Sequence, residues 1–368
     1  MPDIVNVIFI ARAHSATLKN KKYIGSIIMN FRPSRVITAG AVALGITLSA
    51  GMASAQEAKS YILSTASTGG TYYPVGVALA TLTKVKLEPK TKIGMSAISS
   101  AGSGENVKLL RDGEAQFAIL QGLFGYYAAT GTGPVAADGP QTKLRSISML
   151  WQNVEHYIVA ADKAKTGTMA DFVALKGEAV AMGAKNSGTI GSNRTILSGF
   201  GLDMDKDFEL MYGGYGPSVS ALQDGKIAGV GVPGGVPVGA LVQLMSTAGD
   251  SVKMLSMTED EVKKADNGRG LWVPYTIPAN SYPGQTTDIQ TVAQPNFLAT
   301  TADIPEEDVY QITKTIFENL GFLNAIHAAT KAMSIDKAIG GLPVPLHPGA
   351  ARYYKEVGIS IPDHLIAK

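Results

Sequence analysis

From residue 61 onward the chain repeats one local plan: a short apolar strand, a loop rich in glycine and small hydroxyl residues, then a helix. YILSTAS (61–67) runs into TGG (68–70) and a helix from about Tyr73 to Lys84, with Pro74 in the first turn, where proline is tolerated. KIGMSAIS (92–99), AGSG (101–104) and a helix over 105–112 follow, then the strand AQFAILQ (115–121) and a helix through Tyr126 and Tyr127. LRSISMLW (144–151) and HYIVAAD (156–162) read as two more strands. Alternation of this kind implies largely parallel sheets with helices on both faces.

A second set begins near residue 169. MADFVAL (169–175) is a short helix, EAVAMG (178–183) a strand, and AKNSGTIGS (184–192) a loop that opens a helix to about Ser198. FELMYGG, IAGVGV and VKMLSM read as strands, with helices over 217–225 and 236–245 between them. The stretch 270–287, rich in Pro, Gly and Tyr, reads as irregular. VAQPNFLATT (292–301) is a strand, and 306–320 is an amphipathic helix with Val309, Ile312, Ile316 and Leu320 on one face. A last helix spans about 348–357. Two sets imply two lobes. The chain after residue 286 is too short for a third, so it is expected to return to the first. That gives 56–163 plus 286–368 for the first lobe and 164–285 for the second.

The N-terminus reads as an export signal. Arg32 and Arg35 precede the apolar run 36–51, and Ala53-Ser54-Ala55 supplies a small-x-small cleavage site. Residues 1–55 are therefore expected to be a leader, with Met29 a candidate true start, and the exported protein to begin at Gln56. The leader holds six basic side chains and one acidic, so the rest of the chain carries 26 basic and 29 acidic, about −3 net. No basic run suggests nucleic acid. Cysteine is absent, which excludes disulfides, zinc–cysteine sites and a cysteine nucleophile.

Three loops stand out as binding elements: TGGTYYP (68–74), AGSGEN (101–106) and NSGTIGS (186–192). Each opens a helix, where unpaired backbone N–H groups and the helix dipole can hold a carboxylate or phosphate without a dedicated cation. Such loops lie at the carboxyl ends of strands, where open α/β sheets bind ligands. The alternative is that they are plain caps and turns. Gly229-x-Gly231-x-x-Gly234 matches a dinucleotide fingerprint by letters only, since no acidic residue follows at the expected distance. A close backbone approach to a ligand or to the facing lobe accounts for it better. His156, His327, His347 and His364 show no metal-ligand spacing, and no nucleophile elbow or P-loop occurs. No metal, cofactor or catalytic residue is expected, and the chain does not read as an enzyme. A lone His156 on a strand is more often structural.

The runs TGGTYYPVGVALA (68–80), SAGSGENVKLLRDGEAQFAILQ (100–121), MGAKNSGTIGSN (182–193), 275–320 and PLHPGAARYYKEVG (345–358) closely resemble the TAXI family of TRAP transporter solute receptors. The resemblance covers about residues 60–360. It implies an α/β periplasmic-binding-protein fold of the second type, two lobes each with a mainly parallel sheet. It also implies a periplasmic location, a ligand such as glutamate, glutamine or a 2-oxo dicarboxylate, and a fused multi-spanning TRAP membrane subunit as partner. Carried over motif by motif, it points to Gly70, Thr71, Tyr72 and Tyr73, to Ser103, Gly104 and Gln121, to Asn186, Ser187, Gly188 and Thr189, and to Tyr282 as ligand-binding residues. Gly122 and Leu123 stand where the family usually has Ser-Asp, and VPGGVP (232–237) has glycines where Ala-Gly is usual. A binding protein of an ABC importer for a small organic anion is the competing reading. A secreted α/β hydrolase is the third, and it lacks a nucleophile–base pair.

Overall fold

The structure is a computed structural model that describes residues 57–367. The proposed signal and its cleavage site lie outside the described residues.

The chain order is β1 (Lys59–Ser64), α1 (Tyr72–Thr91), β2 (Ile93–Ile98), α2 (Ser103–Arg111), β3 (Phe117–Gln121), α3 (Gly122–Thr130), β4 (Leu144–Val154) and β5 (Tyr157–Ala160). Then come α4 (Met169–Val173), β6 (Ala179–Ala181), α5 (Gly188–Gly199), α6 (Met204–Asp207), β7 (Glu209–Met211), α7 (Tyr215–Gln223), β8 (Gly229–Gly231), α8 (Gly239–Ala248) and β9 (Val252–Met254). The last elements are α9 (Glu259–Asp266), β10 (Val273–Ile277), β11 (Ile289–Thr301), α10 (Glu306–Glu318), α11 (Leu320–Ile326) and α12 (Pro348–Glu356).

Two sheets result. The first runs β10-β11-β3-β1-β2, with β4 also paired to β11, and the second runs β7-β6-β8-β5-β9. Each has the same plan. Its βα units pair in parallel, and one strand brought from elsewhere in the chain, β11 or β5, runs antiparallel through the sheet. This is the expected two-lobed α/β architecture, with one refinement. Most strands point the same way, but the ladders are mixed because the inserted strand opposes its neighbours.

That insertion also corrects the lobe boundaries. The strand at 157–160, expected in the first lobe, pairs with β8 and β9 in the second sheet. The segment 273–277, expected to be irregular and in the second lobe, pairs with β11 in the first sheet. The first sheet takes β1–β4, β10 and β11 and the second takes β5–β9, so the chain crosses between β4 and β5 and again between β9 and β10, both earlier in the sequence than expected.

Local physics explains the other differences. Helix α1 continues past Lys84 to Thr91 despite Pro89, because a proline in the last turn forfeits only its own N–H bond; Lys92 then closes the helix in the left-handed region, φ 59°. Helix α9 adds an element beyond those expected from sequence, and Thr258 and Glu261 form a reciprocal capping box at its start. Alternation sets the packing of β5: Tyr157 and Val159 face one apolar cluster and Ile158 the other.

Candidate functional site

In both lobes the parallel strands end in loops that open helices, and these helix starts meet between the sheets. Thr71 caps α1, Gly102 caps α2, Gln121 caps α3, Ser187 caps α5 and Gly214 caps α7. The lobes touch here directly. The Glu105 N–H donates to the Asn186 carbonyl at 2.9 Å, the Ala240 N–H to the Gly69 carbonyl at 3.0 Å, and Thr71 Oγ1 to the Gly235 carbonyl at 2.9 Å.

Glycine makes the approach possible. A Cβ on Gly104 would lie 2.4 Å from the Asn186 carbonyl oxygen, and one on Gly188 would lie 2.6 Å from Gln121 Oε1 and 2.8 Å from Ser103 Oγ. Gly234 and Gly235 do the same behind the Thr71 loop, with Cβ positions 3.4 Å from Thr71 Oγ1 and 2.6 Å from Trp151 Nε1. In the letter match to a dinucleotide fingerprint, Gly229 and Gly231 make room for Phe172 and Asn193, not for a cofactor.

A cavity of about 180 Å³ lies between the loops. The first lobe lines it with Ser67, Gly70, Thr71, Tyr72, Ser103, Gln121 and Asn153, among others. From the second come Ser187, Gly188, Thr189, Gly214, Tyr215 and Gly234. No Lys, Arg, His, Asp or Glu lines it among the described residues. Positive potential at the cavity therefore comes from the N-termini of α1, α2, α5 and α7.

The polar atoms fall into two groups. Some are engaged within the protein. Ser187 Oγ accepts from the Ile190 N–H at 3.1 Å. The Tyr215 hydroxyl donates to the Pro233 carbonyl at 2.6 Å and therefore accepts from Thr189 Oγ1 at 2.8 Å. Others face the cavity without a partner. Gln121 Oε1 and Asn153 Nδ2 are buried and make no hydrogen bond. Asn153 is held from behind: Tyr72 donates to Asn296 Oδ1 at 2.5 Å, and Asn296 Nδ2 donates to Asn153 Oδ1 at 3.3 Å. Ser103 Oγ accepts from the Gln121 N–H at 3.0 Å, which leaves its own proton to give. Burial raises the Tyr72 and Tyr215 phenols above their ordinary range, so both stay neutral.

Eight of the twelve residues singled out in the sequence thus line one cavity: Gly70, Thr71, Tyr72, Ser103, Gln121, Ser187, Gly188 and Thr189. Four do not. Gly104 and Asn186 meet at the outer lip, where they line a different hollow. Tyr73, the next residue along α1 from Tyr72, is not in the lining. Tyr282 is buried behind the site, where its hydroxyl lies 2.8 Å from His156 Nε2 and accepts from the Val238 N–H at 3.0 Å. His156 Nδ1 faces the Val232 carbonyl at 3.0 Å, so it carries the proton and Nε2 accepts from Tyr282. Burial pushes the His156 imidazole down to about 4.

Sequence reasoning missed Asn153 and Tyr215. Tyr215 follows Gly213-Gly214 between a strand and a helix, a fourth loop of the same kind. Asn153 carries no local signal, since only the pairing of β4 with β11 brings it to the cavity. The assembled site offers hydrogen-bond donors, one buried acceptor and helix dipoles. It offers no base to activate a hydroxyl.

The model of a family described as the NMT1-like family matches residues 63–358. Among solved structures, the chain is similar to MatC from Rhodopseudomonas palustris with bound malate, at 13% identity and a TM-score of 0.49, over 81% of this chain and 95% of that one. The alkanesulfonate-binding protein SsuA from Xanthomonas axonopodis pv. citri gives 13%, a TM-score of 0.42, and 81% and 90% coverage. The periplasmic nitrate-binding protein NrtA from Synechocystis gives 13%, 0.46, and 75% and 68%.

Proposed function

The chain belongs to the NMT1-like family, and from that premise we propose that it is an exported solute-binding receptor that closes on a small organic acid or amino acid and delivers it to a membrane importer. The observation that carries this reading is the cavity between the lobes. Helix N-termini from both sides converge on it, and no charged side chain lines it. A carboxylate suits the helix starts. An amino or hydroxyl group on the same ligand suits Gln121 Oε1, the buried acceptor left without a donor. The eight cavity residues named from sequence, together with Asn153 and Tyr215, form the proposed ligand shell. Tyr282, Tyr73, Gly104 and Asn186 act around it.

The lobes part about the chain crossings, at Glu155–His156 and in the stretch between α9 and β10. An ATP-driven importer of the ABC type is the first candidate for the partner. The run of motifs shared with TAXI receptors supports a TRAP membrane subunit as the second reading. Export to the periplasm rests on the leader at 1–55. Among the described residues no helix is long and apolar enough to cross a membrane.

The test is a thermal-shift screen of amino acids, hydroxy acids, 2-oxo acids and dicarboxylates against the chain from Gln56, followed by calorimetry on the hits. Saturating ligand at a hundred times its Kd should add about 2.7 kcal/mol of stability. A panel in which nothing raises the melting temperature, or a hit recovered chemically altered at catalytic yield, overturns the reading. Uptake that stops on ATP depletion identifies the ABC partner; uptake that stops only when the ion gradient collapses identifies the TRAP one.

A further inference from the structure

Glu155 stands between the end of β4 and the start of β5, in the crossing from one sheet to the other. It is 1% exposed. Its backbone is fixed to the first sheet: its N–H donates to the Val292 carbonyl and its carbonyl accepts from Thr291 Oγ1. Its side chain reaches groups from both lobes. Carboxylate Oε1 accepts from Ser192 Oγ on α5 of the second lobe and from Trp272 Nε1, 3.2 Å away, beside β10 of the first sheet. Ser192 in turn accepts from Gln294 Nε2 at 3.4 Å, and Gln294 Oε1 is oriented by the Leu123 N–H at 2.9 Å. Oε2 is buried and accepts nothing. No cation pairs with the carboxyl among the described residues.

A buried carboxyl with one oxygen unbonded and no counter-charge is costly as an anion. Parting the lobes withdraws Ser192 and admits water, and the cost disappears. We propose that Glu155 is a proton-linked latch: closing the lobes buries its carboxyl and takes up a proton on Oε2, and opening them releases it. The proposal rests on the receptor reading only in that the lobes part, and its test needs no ligand.

The direction of the linkage follows from burial, which pushes the carboxyl up to about 7 in the closed form against the opposing hydrogen bonds of Ser192, Trp272 and Gln294. In the hydrated form it returns toward the ordinary carboxylate range. The closed form therefore holds the extra proton between those limits, so closure is favoured at low pH and weakened as pH rises through about 7. The other titratable groups that feel Glu155 are Tyr72 on α1, Tyr157 on β5 and Tyr215 on α7, all raised by burial and neutral throughout. His156, the next residue, turns its ring to Val232 and Tyr282 and is neutral above about 4. None of these changes charge between pH 5.5 and 8.

The absence of cysteine makes the test direct. Lys108 and Lys185 are exposed on facing lips of the cleft. Lys108→Cys/Lys185→Cys, carrying two nitroxide labels, reports the distance between the lips by electron–electron resonance in the ligand-free protein. The ratio of short to long distances should rise roughly ten- to thirty-fold from pH 8 to pH 5.5. Glu155→Gln, which keeps a neutral side chain of the same shape, should hold the short-distance population high and flat across that range. Ser192→Ala, which keeps the carboxyl and removes its second-lobe donor, should move the midpoint to higher pH. A parent ratio that does not change with pH, a Gln variant that keeps the parent's response, or an Ala variant with an unmoved midpoint each overturns the latch. A null ligand screen leaves this experiment intact, and a flat pH response leaves ligand binding intact, so the two readings fail separately.

Discussion

The two walls of the cavity are built from the same device and use it differently. In the first lobe, two polar atoms aimed at the cavity lack partners: Gln121 Oε1 and Asn153 Nδ2 are both buried and unbonded. In the second lobe, the hydroxyls are already engaged, Ser187 in capping α5 and Thr189 in a chain through Tyr215 to Pro233. What the second lobe contributes is backbone: Gly188 at the first turn of α5 and Gly234 on the opposite rim. On the proposed function, this contrast assigns reading of the ligand to the first lobe and covering of it to the second. A buried polar atom left without a partner is a place where a ligand gains most, because the desolvation cost is already present.

That division can be broken most sharply at Gly188. A valine there would put its Cβ within 3 Å of Gln121 Oε1 and Ser103 Oγ, so the lobes could not meet as they do. Gly188 does not sit at positive φ, so the backbone of α5 tolerates the change and the effect falls on closure. Gly188→Val should weaken the best screened ligand roughly a hundred-fold or more, with a ligand-free melting temperature near the parent's. Binding within threefold of the parent by calorimetry would show that the lobes do not close at this point.

The next largest effect belongs to the first lobe. Gln121→Leu removes the unpaired oxygen and keeps the volume. Affinity should fall about ten- to a hundred-fold, the worth of 1–3 kcal/mol. The ligand-free melting temperature should stay level or rise, because a buried group without a partner is gone. A variant that loses stability and keeps affinity would place Gln121 in the scaffold and not at the ligand.

Ser187→Ala is the second-lobe counterpart, and it should do the reverse. The hydroxyl caps α5 through the Ile190 N–H, so its loss should cost about 1 kcal/mol of stability. The sequence leaves this cost undecided, since a serine in a glycine loop looks equally like a cap and a ligand group. Affinity should drop less than tenfold. If calorimetry shows Ser187→Ala binding as poorly as Gln121→Leu, the two lobes read the ligand equally.

These contrasts also mark what sequence patterning can reach. The glycine loops were legible because a strand, a tight turn and a helix start are local, and each sits where ligands bind in an α/β sheet. So seven residues of these loops converge on the cavity, joined by Gln121 from the end of β3. The lobe boundaries were not legible, because β5 and β10 each join the sheet across the crossing from their neighbours in sequence. Asn153 was hidden for the same reason: its place depends on β11, more than a hundred residues away. Thr258 and Glu261 did announce α9, and Gly213-Gly214 announced a fourth loop. Those signals were local and readable.

The smallest effect on affinity is expected at Tyr282, which shares the motif resemblance with the cavity residues but not their position. Its hydroxyl gives a proton to His156 Nε2 and takes one from the Val238 N–H. Tyr282→Phe leaves both of those buried groups without a partner. Stability should fall by about 1–3 kcal/mol, while ligand affinity stays within twofold of the parent. The same pair sets an acid limit on the fold. His156 is held neutral, at about 4 against an ordinary value near 6.5, so the folded chain binds fewer protons there than the unfolded one. Its contribution to stability is complete above pH 6.5 and is lost as pH falls toward 4. Glu155 works in the opposite sense over part of that range, since its closed form gains a proton. Denaturation of Glu155→Gln across pH 4 to 7 should therefore show a steeper loss of stability toward acid than the parent's. If Tyr282→Phe weakens binding as much as Gln121→Leu does, the hydroxyl reaches the ligand in solution and the cavity extends behind Val238.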